Sequence, residues 1–169
     1  MKAPIERKTP YETFTFYLLA LSTLLLDQFA KFGIVAALAL GHSRPLIDGF
    51  LHLTYVRNFG AAFSLFWGHA APLSLVAAGI ALAVVVYQHR CKPQAPLMVC
   101  SLGLLLGGAL GNFVDRLVFG YVRDMIDLRW QGANVWPIFN VADMAVMAGV
   151  ALMLLHTHLA SREALRSAD

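Results

Sequence analysis

The chain has 169 residues, 59% hydrophobic against 14% charged, with a mean hydropathy of +0.64; that is too oily for a soluble domain of this length and points to a bilayer. Thirteen Lys and Arg against ten Asp and Glu leave a net charge of +3, an excess that membrane-surface phosphates account for and that makes no nucleic-acid module. Cys91 in a polar linker and Cys100 in an apolar run match no zinc or redox spacing and make no disulfide framework.

Four apolar stretches, roughly 14–40, 70–87, 95–114 and 139–159, approach the ~20 residues that a membrane-spanning helix needs. They predict one mainly α-helical integral membrane domain over residues 1–169, with four spans. Lys2, Arg7 and Lys8 before the first stretch imitate a secretory signal peptide. Asp27 and Lys31 inside it argue against cleavage, because a signal peptide's apolar region should carry no charge, so this is a first span or signal anchor. Asp27 and Lys31 are four apart on one helix face and can form an ion pair or contact substrate.

After span 1 the sequence alternates from Phe50 to Tyr55, with Leu51, Leu53 and Tyr55 on one face and His52 and Thr54 on the other, which predicts a strand. Ser64 follows a turn-like Asn58-Phe59-Gly60 segment; with Lys31 or a histidine as base it keeps a Ser/Lys protease open. The second span carries no Asp, Glu, Lys or Arg. Arg90 and Lys92 crowd the short connection to span 3. In span 3, Gly103, Gly107 and Gly111 recur at four-residue spacing, a surface for close helix packing, and Gly108, Asn112 and Arg116 form the adjacent row. That row starts small and ends in an amide and a guanidinium, which suits either substrate binding or capping of the span.

Period two from Val122 to Trp130 predicts a second strand, with Val122, Asp124, Ile126, Leu128 and Trp130 on one face and Arg123, Met125, Asp127 and Arg129 facing away. Asp124 is thus an acid on the apolar face. A small extramembrane sheet would satisfy the backbone of both connections and cover polar groups at the membrane surface. In span 4, Asn140 lies one helical turn before Asp143. His156 and His158, two apart, fall on different faces and read as interfacial. A His-Glu-x-x-His zinc motif and a Gly-x-Ser-x-Gly elbow are both absent from the sequence.

With four spans, the end of span 1, the end of span 3 and the start of span 4 share one side. Asp27 and Lys31, then Asn112, Asp115 and Arg116, then Asn140 and Asp143 therefore meet at one depth, where unpaired ionisable groups are costly and often functional. A channel or proton-coupled transporter would spread such groups through the membrane, so a one-sided site is the better reading. Asp124 and Asp143 are candidates for a carboxylate pair sharing a proton, as peptide hydrolysis needs. By spacing alone Asp115 and Asp127 are also available.

The segments Asp27-Gln28 with Lys31, Tyr55 to Ser64, Gly107 to Arg116, Val122 to Asp127 and Phe139 to Asp143 closely resemble bacterial lipoprotein signal peptidase, signal peptidase II. The five motifs occur in order and cover nearly the whole chain apart from its tails. The resemblance implies an aspartic intramembrane endopeptidase of the bacterial inner membrane that removes signal peptides from diacylglyceryl-modified prolipoproteins, before the lipidated cysteine. It implies Asp124 and Asp143 as the catalytic aspartates. Asn112 and Arg116 would lie along the groove for substrate or globomycin-type inhibitors, Asn140 beside the dyad, and Asp27, Lys31 and Asn58 in a supporting network, which Asp115 and Gly108 complete. It also implies a periplasmic β-cradle, a monomer in membrane lipid, both termini cytoplasmic and no cofactor. One departure is the short connection Trp67-Gly68-His69, where relatives often carry a longer polar segment with an aromatic lid.

Overall fold

The computed structural model describes residues 10–60 and 70–167. Ser64 and the Trp67-Gly68-His69 connection lie outside the described residues. Four helices, each long and apolar enough to cross a membrane, make up most of the protein: α1 (Pro10–Ala37), α2 (Ala70–Cys91), α3 (Pro96–Phe119) and α4 (Val141–Arg166). The four predicted spans are all present with shifted ends. α1 starts and stops a few residues earlier, and α3 runs on to Phe119, so Asp115 and Arg116 lie on its last turns. Cys91 is the last residue of α2 and exposed, not part of a linker.

α3 is the central helix. It opens on Pro96, where a missing N–H costs nothing, and stops at Gly120, whose φ of 76° lets its N–H close on Arg116 O. Its glycines set the packing, as the four-residue spacing predicts. A Cβ built on Gly103 would lie 2.9 Å from Leu19 Cβ, and one on Gly107 2.6 Å from Ala20 O. α1 therefore lies directly against this face. Gly108 faces the other way, where a Cβ would come within 2.5 Å of Ala142 O on α4. The core of this end of the bundle is Phe16 and Ala20 of α1, Ala81 and Val84 of α2, and Met98 to Ala109 of α3.

The two connections carry a four-stranded antiparallel sheet in the order β1 (Ser43–Ile47), β2 (Leu51–Asn58), β3 (Val122–Trp130), β4 (Ala133–Asn134). Two of these strands, β2 and β3, are the predicted ones, although β2 starts one residue later than expected and ends at Asn58, three residues beyond it. The flanking β1 and β4 are additional. β4 returns from β3 through Gln131 (φ 51°) and Gly132 (φ 82°), two successive left-handed residues that make the tight turn favoured in hairpins.

The expected face pattern of β3 needs correction. Arg123, Met125 and Asp127 do not face away into solvent: they are 3%, 4% and 0% exposed. Met125 packs with Ile34 of α1 and Tyr55 of β2, so the first half of β3 is buried on both faces, which simple alternation cannot reveal. A bulge in β2 between Leu53 and Val56 shifts the β2–β3 pairing at this level.

Candidate active site

Asp124 and Asp143 are brought together by a short backbone device. Phe139, just ahead of α4, forms an antiparallel bridge with Ile126 of β3, with Ile126 N–H donating to Phe139 O at 2.8 Å and Phe139 N–H to Ile126 O at 3.1 Å. The next residue, Asn140, is the N-cap of α4. Its side-chain oxygen accepts from Asp143 N–H at 2.9 Å, while its own backbone N–H donates to Asp143 Oδ2 at 3.2 Å, a reciprocal capping box. The same residue's Nδ2 donates to Asp124 Oδ1 at 2.6 Å. Asn140 is fully buried and touches both carboxylates.

Two further amides complete the setting. Asn58, at the end of β2, donates to Asp124 Oδ2 at 2.9 Å, and its own oxygen accepts from Gly60 N–H. Asn112 of α3 donates to Asp143 Oδ1 at 2.7 Å. Its Oδ1 accepts from Lys31 Nζ and from Asn140 Nδ2, both at 3.0 Å. With two donors on its oxygen, the Asn112 amide can turn only its NH2 towards Asp143.

Behind this layer lies a buried charge network. Lys31 Nζ is 2.7 Å from Asp27 and 3.5 Å from Asp115, and all three side chains are fully buried. Arg123 grips Asp115 with Nε and Nη2 at 3.1 and 2.7 Å, and its guanidinium lies over the rings of Phe32 and Phe119. Gln28 joins the two, donating to Asp115 and accepting from Arg123. The other oxygen of Asp27 accepts from Ala142 N–H at 2.8 Å, so α1 also holds the first turn of α4. Lys31 Nζ thus has Asp27, Asp115 and Asn112 as its partners.

A cavity of about 490 Å³ opens onto the two aspartates, within the usual range for a ligand site. Asn58, Asn112, Arg116, Asp124 and Asp143 supply its polar wall; Leu73, Val76, Ala77 and Ile80 of α2, with Trp136 and Ile138 ahead of α4, are among the residues of its apolar one. Arg116 Nη2 donates to Gly60 O at 3.2 Å. Burial, and then the nearby Asp143 carboxylate, push the Asp124 carboxyl from its ordinary 3.8 up to about 7, against the opposing pull of Asn58 and Asn140. A carboxyl that holds its proton near neutrality beside a second carboxyl, in a mostly apolar cleft, can supply an acid and a base together.

All ten residues singled out from the sequence belong to this assembly. Asp124, Asp143, Asn112, Arg116, Asn58 and Gly108 line the cavity; Asn140 bridges the aspartates; Asp27, Lys31 and Asp115 form the network behind. Asp127 is elsewhere, bonded to Thr54 and Arg129. Sequence reasoning missed Gln28 and Arg123 as supports, and missed that α2, whose stretch 70–87 carries no charge, walls the cavity. Adjacent opposite charges in Arg123-Asp124, pointing to opposite faces of one strand, were the available signal for Arg123.

Residues 19–159 match the family described as signal peptidase II. The chain is 44% identical over 138 residues to the lipoprotein signal peptidase of Moorella thermoacetica, spanning 82% of this chain and 89% of that protein. It is 43% identical over 135 residues to the lipoprotein signal peptidase of Syntrophomonas wolfei subsp. wolfei, covering 80% and 87%. A solved structure described as a bacterial membrane enzyme superposes with a TM-score of 0.81 at 33% identity, covering 87% of this chain and 89% of that one. The chain therefore belongs to the signal peptidase II family, the multi-pass membrane proteases of aspartic type that remove signal peptides from prolipoproteins.

Proposed function

We propose that Asp124 and Asp143 are the catalytic dyad, acting on prolipoproteins that already carry diacylglycerol on the cysteine after the cleavage site. The observation that carries this reading is Asn140, one buried residue bonded to both carboxylates at the wall of the cavity. The extended cleavage segment lies across the dyad, with the signal helix and acyl chains against the apolar wall and in lipid, where burial of hydrocarbon supplies much of the affinity. One aspartate, ionised, takes a proton from water as the water oxygen bonds to the scissile carbonyl carbon. The protonated partner donates to the carbonyl oxygen. The tetrahedral intermediate then breaks its C–N bond, and the amine of the lipidated cysteine leaves with a proton returned by the dyad.

Arg116 and Asn112 bind substrate or a globomycin-type inhibitor along the cavity, and Asn58, Asn140, Asp27, Lys31, Asp115 and Gly108 hold the site in shape. The protein works as one integral domain, a monomer in the bacterial inner membrane, with both termini cytoplasmic and the sheet and dyad at the periplasmic face. The packing supports a shared side for the sheet and the dyad, since both sit at the ends of α1 and α3 and the start of α4. Reporter fusions after His69 and after Gly120 should both report periplasm; a cytoplasmic signal at either inverts the orientation.

The decisive assay incubates purified protein with a diacylated prolipoprotein. A shorter product, blocked by globomycin and lost in Asp124→Asn and in Asp143→Asn, is expected. The double variant should be no worse than either single, because the two act as one unit. A folded single variant that cleaves at near wild-type rate removes that residue from the mechanism.

A further inference from the structure

The rim of the cavity just ahead of α4 presents a backbone acceptor outside the dyad's own hydrogen bonds. Phe139 exchanges both its backbone bonds with Ile126 of β3, its N–H donating to Ile126 O at 3.1 Å and its O accepting from Ile126 N–H at 2.8 Å. Among the described residues no peptide bond is cis, and a trans peptide plane carries its C=O and its N–H in opposite directions. With Phe139 N–H on β3, Ile138 O therefore points away from β3. By the same geometry one residue on, Phe139 O on β3 turns Asn140 N–H to that far side, and there it meets Asp143 Oδ2 at 3.2 Å. Ile138 O and the Asp143 carboxylate thus share one side of this short extended segment.

Ile138 lines the cavity and is half-buried, and its carbonyl has no hydrogen-bond partner among the described residues. Asn140 is extended, with φ −131° and ψ −178°, so the segment stays straight up to the first turn of α4, and Ile138 lies about 7 Å from Asn140 at roughly 3.3 Å per residue. The membrane-spanning helix begins at Val141, which puts Ile138 on the sheet side of the dyad. Open to water, this carbonyl is solvated. Once a signal helix and its acyl chains fill the apolar wall and expel that water, it becomes a buried acceptor that is costly unless a donor meets it.

We infer that Ile138 O is a substrate-binding group: it accepts the N–H of one of the two residues that follow the lipidated cysteine, so that the mature side of the cleavage segment adds as a short antiparallel strand to residues 138–140. This rests on the dyad reading above, which sets the scissile bond beside Asn140 and Asp143. The substrate runs from the membrane towards the sheet while residues 138–140 run from the sheet towards the membrane, hence the antiparallel sense. Successive N–H groups of an extended chain point to opposite sides, so only one of the two reaches Ile138 O. A constraint on the substrate follows. A prolipoprotein with proline at that position has no N–H to give and is a poor substrate, however well its signal helix fits.

The test uses the wild-type protein in detergent and synthetic diacylated prolipoprotein peptides that all keep the scissile amide: an all-amide parent, and two in which an ester oxygen replaces the backbone N–H of the second or of the third mature residue. One ester should raise the apparent KM about tenfold, the loss of one hydrogen bond, with kcat unchanged because the bond is present in bound substrate and transition state alike. The other ester should behave like the parent. Two esters cleaved like the parent, or two that lose equally, overturn the proposal. To place the contact, the substrate is made with photo-leucine at the affected position and irradiated while bound to Asp124→Asn. Crosslinks should fall on residues 136–139, and crosslinks confined to other segments overturn the assignment to Ile138; the ester comparison stands even if that variant fails to fold. Cleavage of the all-amide parent by Asp124→Asn at near wild-type rate would count against the dyad instead, so the two readings fail separately.

Discussion

Replacing Asp124 with Asn tests the electrostatics of the site separately from its chemistry. Asp124 is 1% exposed, and burial with the Asp143 charge raises its proton affinity from 3.8 to about 7. The folded protein therefore holds this proton more tightly than the unfolded chain. The stabilisation it brings is complete below pH 3.8 and disappears as pH rises through about 7. At roughly 1.4 kcal/mol for each tenfold change in affinity, that is about 4 kcal/mol of stability that wild type loses between those limits. Asn does not titrate, so Asp124→Asn lacks this slope.

The variant also carries a cost that does not depend on pH. Asn58 and Asn140 both donate to Asp124, and an Asn there turns one NH2 against a donor, a penalty of about 1–3 kcal/mol. Thermal unfolding in detergent, followed by tryptophan fluorescence from pH 4 to pH 8, separates the two effects. Asp124→Asn should be the less stable protein at pH 4, and the gap should close or reverse as pH approaches 7. Asp143→Asn removes the neighbouring charge and should move the wild-type transition to lower pH without abolishing it. Parallel curves for wild type and Asp124→Asn across the whole range would refute the raised affinity and with it the division of acid and base roles.

The spans, the glycine face and the convergence of three polar segments were legible because each rests on a local pattern: apolar runs, four-residue spacing, and a count of crossings. What brings Asp124 to Asp143 was not, because the bridge between Ile126 and Phe139 is a backbone pairing across thirteen residues with no side-chain signature. The resemblance to signal peptidase II supplied the pairing that spacing left open between Asp124, Asp115 and Asp127. Period two failed for β3 in a specific way. It separated Asp124 from Arg123 and Asp127 correctly, but a polar residue on the second face does not mean a solvated face: Asp115 and Gln28 bury Arg123, and Thr54 and Arg129 hold Asp127. The hairpin of β3 and β4 had a local signal in Gln131-Gly132 that alternation alone does not weigh.

Lys31→Met should leave Asp27 a buried acid missing its cation, Asp115 keeping Arg123, and cost about 3–5 kcal/mol in thermal or denaturant unfolding; an unchanged midpoint would mean Asp27 is neutralised some other way. Arg116→Ala removes a guanidinium from the cavity wall and should raise the apparent KM for prolipoprotein or weaken globomycin inhibition without unfolding the protein. Wild-type values for both would make it only an end cap. Asp127→Asn, outside the cavity, should process substrate at a substantial fraction of the wild-type rate while losing about 1–3 kcal/mol of stability with its Thr54 and Arg129 bonds; loss of cleavage in a folded variant would bring Asp127 into the mechanism. Gly108→Ala is the sharpest test of how the fold holds the site. A new Cβ there would sit 2.5 Å from Ala142 O and 2.8 Å from Val146 Cγ2, and the first of these is backbone in the turn that carries Asp143. It cannot rotate away, so the start of α4 must shift by several tenths of an ångström from α3, while Asp124 stays with the sheet. Misplacement of that order at a reacting centre costs up to about 100-fold in rate, and kcat of the folded variant should fall alongside the roughly 1–3 kcal/mol of stability that overpacking of a buried helix contact costs. Gly79→Ala on α2, which meets nothing within 4 Å, is the matched control, and equal activity of the two variants would show that the contact between α3 and α4 does not set the distance between the aspartates.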